Sequence, residues 1–124
     1  MSKKKIVIVD DEQDILKTLK IFLEAEGFDV VTASDGVEGL DKIRKEKPDA
    51  VILDIMLPKT DGYKICRILK FDKKYRGIPV VIFTAKAQEE DERMGKEVRA
   101  DAYITKPFDP DVLLAKLKEL LFNL

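Results

Sequence analysis

The sequence predicts an α/β domain with a parallel sheet, because apolar runs of strand length alternate with segments of helical periodicity. The five runs lie at about 5–9, 28–32, 50–53, 79–83 and 102–105. At 124 residues the chain has the length of one domain, and five β/α pairs fit that length. We therefore expect a single domain over 1–124, with a five-stranded sheet and five helices on its two faces.

Four helical segments are predicted from apolar residues spaced three and four apart, which lie on one side of a helix. They carry Ile15, Leu19, Phe22 and Leu23; Val37, Leu40 and Ile43; Ile65, Cys66 and Leu69; and Leu113, Leu117, Leu120 and Leu121. The first stops at Gly27 and the second ends before Pro48. Asp61-Gly62 precedes the third, and Asp109-Pro110 gives the last an N-cap and a first-turn proline.

A further helical segment, at about 87–98, has only Met94 and Val98 as sizeable apolar residues, and Gly95 lies inside it. Glycine costs about 1 kcal/mol relative to alanine in a helix interior, so we expect the least stable helix here. Segments of low stability serve conformational switching, and the position just after Thr84 suits that role. A poorly packed surface helix is the alternative.

Composition and charge exclude several function classes. The chain has 23 Lys+Arg against 24 Asp+Glu, without the basic excess of a stand-alone nucleic-acid binder. It has no histidine, which excludes a histidine phosphocarrier, a Ser-His-Asp triad and a histidine-containing zinc site. Cys66 is the single cysteine, and neither a signal peptide nor a membrane-spanning apolar run is evident. We expect a cytoplasmic setting, without membrane or direct nucleic-acid binding.

Residues suited to a phosphoryl group follow four of the predicted strands. Asp10 and Asp11 follow the first strand, Asp54 the third, Thr84 the fourth and Lys106 the fifth. The carboxyl ends of parallel strands meet at one edge of the sheet, where such folds bind ligands. We therefore expect these residues to form one composite site.

Three carboxylates at one edge need compensation, because two unit charges about 4 Å apart repel by about 4 kcal/mol at an effective dielectric constant of 20. Either one carboxylate takes up a proton or a cation is bound, and a hard divalent ion such as Mg²⁺ suits the oxygen ligands. Lys106 adds a further positive charge. An aspartate beside Mg²⁺ and a lysine has the chemistry of a nucleophile for phosphorus, which would form an acyl phosphate.

Each residue also has a structural explanation. Asp11 could cap the helix that begins near Glu12, Thr84 suits a strand end because it is β-branched, and Lys106 could be a solvated loop lysine. Asp54 is harder to explain in this way, since it stands between a buried strand and an apolar loop, where an unpaired acid is costly. The joint pattern is far more specific than its parts.

Five ordered motifs resemble the receiver domain of two-component response regulators, over essentially the entire chain. They are Asp10-Asp11, Asp54 with Leu57-Pro58, Asp61-Gly62, Thr84-Ala85, and Tyr103 with Lys106-Pro107. The resemblance implies a flavodoxin-like, doubly wound parallel sheet with strand order 2-1-3-4-5. It also implies a phosphorylation-activated signalling switch, and we expect 1–124 to be one receiver domain without an output domain.

The resemblance assigns roles to the acidic residues. Asp54 would accept a phosphoryl group from the phosphohistidine of a sensor histidine kinase or a phosphotransfer protein. Mg²⁺ would be bound directly by Asp11, Asp54 and the Met56 carbonyl, whereas Asp10 would act mainly through bound water.

The resemblance also implies a phosphate-binding set and a switch. The phosphoryl oxygens would be held by the Thr84 hydroxyl, the Lys106 ammonium and the backbone N–H groups of Met56 and Ala85. Thr84 and Tyr103 would move together and change the surface formed by segment 87–98, the fifth strand and the last helix. The alternative for Tyr103 is an edge-strand aromatic packed for area. In the family, the peptide bond before Pro107 is usually cis.

Two features depart from the family pattern or vary within it. Many relatives carry glycine where Arg99 precedes Ala100-Asp101, which leaves the conformation of that loop open. The positions that tune hydrolysis of the phosphoryl group are Met56 and Lys86. An apolar Met56 offers no side-chain hydrogen bond to an attacking water, so we hypothesise slow autodephosphorylation and a long-lived phospho-form.

Other classes fit less well. An enzyme of the haloacid dehalogenase type needs a second aspartate two residues after the nucleophile, where this chain has Met56. A pseudo-receiver, an interaction module that is never phosphorylated, usually lacks the acidic pair, the acceptor or the lysine. Neither glycine-rich nucleotide-binding motif occurs. The cognate kinase, the downstream protein and a phosphorylation-dependent homodimer stay open.

Overall fold

A computed structural model describes residues 3–58, 60–84 and 99–122, which form a five-stranded parallel sheet and four helices. The strands are β1 (Lys5–Val9), β2 (Asp29–Ala33), β3 (Ala50–Asp54), β4 (Val80–Thr84) and β5 (Ala102–Thr105). The helices are α1 (Gln13–Ala25), α2 (Gly36–Glu46), α3 (Gly62–Lys70) and α4 (Pro110–Phe122). The strand order β2-β1-β3-β4-β5 confirms the predicted flavodoxin-like sheet. Segment 87–98, predicted as the fourth of five helices along the chain, lies outside the described residues.

Strand boundaries differ from the predicted ones by at most one residue. β2 and β4 each begin and end one residue later than predicted, and β3 includes Asp54. Asp54 is therefore the last residue of a strand, where its Cα is paired with that of Phe83 in β4. The sheet itself thus fixes the backbone of the predicted phosphoacceptor.

Both faces of the sheet are covered, which explains the continuous apolar runs in the sequence. In β1, Ile6 and Ile8 pack with α1 and α4, whereas Val7 and Val9 pack with α2 and α3. The predicted helix residues that are buried are Leu19, Leu23, Ile43, Ile65, Cys66, Leu69, Leu113 and Leu117. Within the described ranges, no helix has the length and apolar character needed to cross a membrane.

One predicted core residue is wrong, because Val37 is exposed. Helix α2 instead turns Gly36, Gly39 and Ile43 towards the interior. A Cβ atom on Gly39 would lie 2.8 Å from both γ-carbons of Val9. The helix therefore lies against β1 through Gly39, while Gly36 faces Thr60 and Ile65, and Val37 lies on the exposed side.

A buried lysine joins the end of α3 to the amino edge of the sheet. The Lys70 ammonium lies 2.7 Å from Asp101 Oδ2 and donates to the carbonyl oxygens of Arg76 and Ile78 at 3.0 and 2.9 Å. Asp101 Oδ2 also accepts the Val80 N–H at 2.7 Å. Each ammonium proton has an acceptor, which compensates for the burial of the charge. The contact therefore ties the loop after α3 to the starts of β4 and β5.

Replacing Lys70 with Met is expected to lower the free energy of unfolding by about 3 kcal/mol, because carbonyl and carboxylate acceptors lose their donor. Urea unfolding measures the change. Burial raises the pKa of the Cys66 thiol, which lies one turn before Lys70, to about 12. The thiol therefore reacts slowly in the folded protein, and its labelling rate is a second measure of how often the domain opens. Lys17→Met, on the exposed side of α1, is the control and should change stability by less than about 0.5 kcal/mol. Equal stability of the two variants would contradict this account of Lys70.

Candidate phosphoryl-transfer site

The parallel register brings the ends of β1, β3 and β5 to one edge of the sheet. β1 and β3 are paired up to the residues that precede Asp10 and Asp54, so these two acids leave their strands side by side. Lys106 directly follows β5, and its Nζ lies 4.9 Å from the ring centroid of Phe83 in the intervening β4. The lysine side chain thus crosses β4 to reach the acids.

Lys106 is the centre of the site. Its Nζ donates to Asp10 Oδ2 at 2.8 Å, to Asp54 Oδ2 at 3.0 Å and to Glu12 Oε1 at 3.2 Å. Only 10% of the Lys106 side chain is exposed. These contacts exclude the alternative that Lys106 is a solvated loop lysine.

Backbone N–H groups hold the other oxygen of each buried acid. Asp10 Oδ1 accepts the Glu12 N–H at 2.9 Å, and Asp54 Oδ1 accepts the Met56 N–H at 2.9 Å. In each carboxylate, one oxygen therefore accepts a backbone N–H and the other accepts a hydrogen bond from Lys106. Their orientation is fixed before any ligand binds, which favours catalysis by positioning.

Burial governs the electrostatics of the site, since Asp10 is fully buried and Asp54 is 4% exposed. Desolvation raises the pKa of Asp10 above its ordinary value; the Asp54 charge adds to the rise, and hydrogen bonds from Lys106 and the Glu12 N–H oppose it. Burial alone would lower the pKa of Lys106, but its hydrogen bonds to Asp10 and Asp54 raise it overall. Lys106 therefore stays charged. Ionised Asp10 is costly to bury, and its hydrogen bonds from Lys106 and the Glu12 N–H offset part of that cost.

The acidic cluster has the donor chemistry of a hard-metal site. One carboxylate oxygen each from Asp10, Glu12 and Asp54 lies within 4.8 Å of the others. At that separation two of these charges repel by about 3.5 kcal/mol at an effective dielectric constant of 20. One ammonium does not balance three carboxylates, and oxygen donors of this kind suit Mg²⁺. The residues present therefore fit the predicted cofactor.

Glu12 is the residue that sequence reasoning missed. It is the N-cap residue of α1 but makes no side-chain capping bond, and its side chain turns to Lys106 instead. Its position two residues after Asp10, in the turn into a helix, is the one sequence signal that could have selected it. Asp11 is exposed and lies outside the cluster of three, and it is not the N-cap residue either. Its role as a direct metal ligand stays a prediction.

The predicted phosphate-binding residues are only partly described. The Met56 side chain is 54% exposed, while its N–H points at Asp54. Thr84 is the last residue of β4 and is paired with Thr105 of β5, so its backbone lies at the edge of the sheet that carries Asp10 and Asp54. The Thr84 side chain, Ala85 and Lys86 lie outside the described residues.

The structure describes Tyr103 in β5 and the backbone on either side of this strand. Tyr103 is partly buried and packs against the core cluster on the side of α2 and α3. The Lys106-Pro107 peptide bond is cis, as the resemblance implies. Arg99 has a φ of 63°, a left-handed conformation that favours glycine. The loop therefore keeps a glycine-type backbone although this chain has arginine there.

Gly62 lies in close contact with the backbone of Asp54, the predicted phosphoacceptor. A Cβ atom at this position would lie 2.3 Å from the Asp54 carbonyl oxygen and 2.5 Å from the Ile55 Cα. The Gly62 N–H also donates to the Ile55 carbonyl at 3.1 Å. The Asp61-Gly62 motif is thus explained by contact between the start of α3 and the end of β3.

Gly62→Ala is expected to destabilise the domain by about 1–3 kcal/mol, because backbone atoms at Asp54 and Ile55 must move. Thermal unfolding with and without Mg²⁺ measures the effect. Gly77→Ala is the matched control: nothing lies within 4 Å of a Cβ atom there, so it should be neutral or stabilising by up to about 1 kcal/mol. Equal effects of the two substitutions would show that the close approach at Gly62 has no energetic importance.

Comparison with known proteins identifies the family. The chain matches the response regulator receiver domain family over residues 6–118. Over 118 residues it is 48% identical to the alkaline phosphatase synthesis transcriptional regulatory protein PhoP of Bacillus subtilis, a match that covers 95% of this chain and 48% of that protein. The chain thus spans about half the length of this curated relative.

Solved structures agree with this match. A CheY-like receiver domain protein from Methanospirillum hungatei is 38% identical with a TM-score of 0.92, covering 98% of this chain and 96% of that chain. The BeF3-activated N-terminal receiver domain of Klebsiella pneumoniae RstA is 36% identical with a TM-score of 0.85, covering 95% and 98%. The chain belongs to the receiver domain family of two-component response regulators.

Proposed function

We propose that Asp54 accepts a phosphoryl group from the phosphohistidine of a sensor histidine kinase or a phosphotransfer protein, and that this switches the domain. The observation that carries the proposal is the buried contact between Lys106 and Asp54 at the acidic edge of the sheet. It puts an ammonium beside the carboxylate that would attack phosphorus. Charge that develops on the transferring oxygens would be stabilised there without reorganisation of solvent.

The residues around Asp54 would change partners during transfer. Lys106 and the Met56 N–H, which now bind Asp54, would bind phosphoryl oxygens instead. We propose that the Thr84 hydroxyl and the Ala85 N–H complete this set. Beside Lys106, an open groove of about 460 Å³ is lined by Glu12, Ile15, Lys106, Pro107 and Phe108, and we propose it as the path by which a phosphodonor approaches.

Mg²⁺ is the proposed cofactor, held by Asp11, Asp54 and the Met56 carbonyl, with Asp10 acting mainly through water. The cluster geometry adds Glu12 to the acids that attract it. When bound, Mg²⁺ neutralises charge on the carboxylates and on the transferring oxygens.

We propose that the signal leaves through Thr84 and Tyr103, which would change the surface formed by segment 87–98, β5 and α4. The target is a downstream protein or an output domain in the cytoplasm, without direct contact of this domain with nucleic acid or membrane. PhoP is named a transcriptional regulatory protein and is about twice as long as this chain, which supports an output domain as the target. A homodimer formed on phosphorylation is compatible with either target. Residues 1–124 would act as one receiver domain.

Phosphorylation is tested by incubating the protein with acetyl phosphate, with and without Mg²⁺, and measuring intact mass. We expect one Mg²⁺-dependent phosphoryl adduct on the wild type and none on Asp54→Asn. Asp41→Asn, at an exposed position of α2, removes the same charge elsewhere and should be modified like the wild type. An adduct that persists on Asp54→Asn would place the acceptor elsewhere, and no adduct at all would favour a pseudo-receiver.

Because ionised Asp10 is costly to bury, we expect Mg²⁺ to stabilise the wild type more than an Asp10→Asn variant, which is the more stable of the two without metal. The raised pKa of Asp10 means that its contribution to stability falls as pH rises through that pKa. Asp10→Asn should therefore unfold at a higher temperature than the wild type at pH 7 in EDTA. Mg²⁺ at about 100 times its Kd should stabilise the wild type by about 2.7 kcal/mol and the variant by less. Asp41→Asn is the control, and the account is wrong if Asp10→Asn is less stable than the wild type in EDTA.

Met56 is proposed to slow autodephosphorylation, because its side chain gives an attacking water no hydrogen bond. A single hydrogen bond of about 1 kcal/mol in the transition state corresponds to about a fivefold change in rate. Met56→Asn should therefore lose the phosphoryl group about five times faster, measured as decay of the adduct mass after removal of acetyl phosphate. Met56→Leu keeps the apolar character and should decay like the wild type. A Met56→Asn variant that decays no faster would argue against this role.

A further inference from the structure

An exposed aromatic ring lies at the end of α3, remote from the acidic cluster. Phe71 is the C-cap residue of α3 and is 53% exposed, and Ile68 is 38% exposed. Residues three apart are neighbours on a helix surface. The two side chains therefore form one apolar surface that the core does not use.

Two arginines flank the Phe71 ring. The guanidinium carbon of Arg99 lies 4.4 Å from the ring centroid, and that of Arg67 lies 5.9 Å from it. Cation–π contacts of this kind order the side chains before a partner arrives, which lowers the entropy cost of binding. The helix dipole favours a cation in the last turn, where Arg67 lies, but it explains neither Arg99 nor the exposure of the ring.

Among the described residues near this ring, exposed cations outnumber exposed acids, although the whole chain has a net charge of -1. The exposed acid of the loop is Asp72, which directly follows Phe71. The exposed cations of α3, the following loop and the residue before Ala100 are Lys64, Arg67, Lys73, Lys74, Arg76 and Arg99. In the part of the chain that the structure describes, none of these six makes an ion pair with a carboxylate. Asp101, the acid that follows Ala100, is already paired with buried Lys70.

We propose that the Phe71 patch, defined as Arg67, Ile68, Phe71 and Arg99, binds an acidic segment of a partner protein that presents an apolar side chain. The planar guanidinium groups match carboxylates in a bidentate geometry. Phe71 and Ile68 supply an apolar contact for the side chain of the partner. The surrounding cations attract such a segment at long range and raise its association rate.

A nucleic acid fits the patch less well than an acidic protein segment. Phosphates would use the cations but leave the Ile68 surface without a partner. A chain of net charge -1 also lacks the basic excess that is typical of nucleic-acid binders. The combination of arginine, phenylalanine and isoleucine therefore favours a protein partner.

The patch is separate from the phosphoryl-transfer site. α3 begins at Gly62, against the Asp54 backbone, and its 9 residues carry the chain about 13 Å along the helix axis. Binding at the patch does not require Asp54, so this inference does not depend on the proposed function. Only Ala100 and Asp101 separate Arg99 from β5, the strand that contains Tyr103. A partner at the patch would therefore contact the chain just before this strand.

The test is an NMR titration of the full chain, labelled with ¹⁵N, with a synthetic peptide that alternates Glu with Leu and Phe. Arg67→Gln combined with Arg99→Gln removes two cations from the patch, and Lys17→Gln combined with Lys20→Gln removes two from the exposed face of α1. Phe71→Ala is matched by Ile21→Ala, which truncates an apolar residue that is 71% exposed on α1. The same peptide with Gln in place of Glu, and an oligothymidine, are the other ligands. The dispersion of the amide resonances of each variant checks that it is folded.

We expect saturable shifts centred on Phe71 and Arg99 with the acidic peptide, and weaker binding to the Gln peptide. The double arginine variant and Phe71→Ala should each lose about tenfold in affinity, while both α1 controls stay within about twofold of the wild type. Equal losses in the patch and control variants would overturn the proposal, because attraction would then be non-specific. Absence of saturable binding to the acidic peptide, or tighter binding of oligothymidine that is insensitive to Phe71→Ala, would also overturn it.

Discussion

The carboxyl edge of the sheet depends on one buried ammonium, which compensates the charge of two buried carboxylates. Lys106 lies 2.8 Å from Asp10 and 3.0 Å from Asp54, oxygens that come from two other strand ends. Without a cation, the two acids would repel each other in a region of low dielectric constant. The lysine therefore holds the carboxyl edge of the sheet together. In the proposed function, the same ammonium would bind a phosphoryl group, so that one residue would serve both structural compensation and chemistry.

The parallel sheet makes this arrangement possible and separates it from a second charged contact. At the carboxyl edge, β1, β3 and β5 deliver the acids and the lysine, and Gly62 lets α3 begin against the backbone of Asp54. At the amino edge, the Lys70–Asp101 contact fixes the entry into β4 and β5. β5 therefore has a charged anchor at each end, with Tyr103 between them. The proposed switch through Tyr103 would therefore act on a strand that has an ion pair at each end.

Much of the fold, and the meeting of three charged residues at one edge of the sheet, follow from local sequence signals. Continuous apolar runs predict buried parallel strands, and polar residues directly after them identify Asp10, Asp54 and Lys106. Glu12 was not predictable in this way, because it is exposed and its orientation depends on Lys106, 94 positions away. The outward position of Val37 follows from the close approach of α2 to β1, which helical periodicity does not contain. For Asp11, Thr84 and segment 87–98 the sequence predictions stand untested.

The most direct test of the central contact is a double-mutant cycle between Lys106 and Asp54 in metal-free protein, measured as free energies of unfolding in urea. Lys106→Met and Asp54→Asn are compared with the double variant. We predict a coupling energy of about 2 kcal/mol, because each single substitution removes a partner of a buried charged contact and the double variant no longer contains that contact. Additivity within about 0.5 kcal/mol would contradict the account, since Lys106 would then not hold Asp54 in the folded protein.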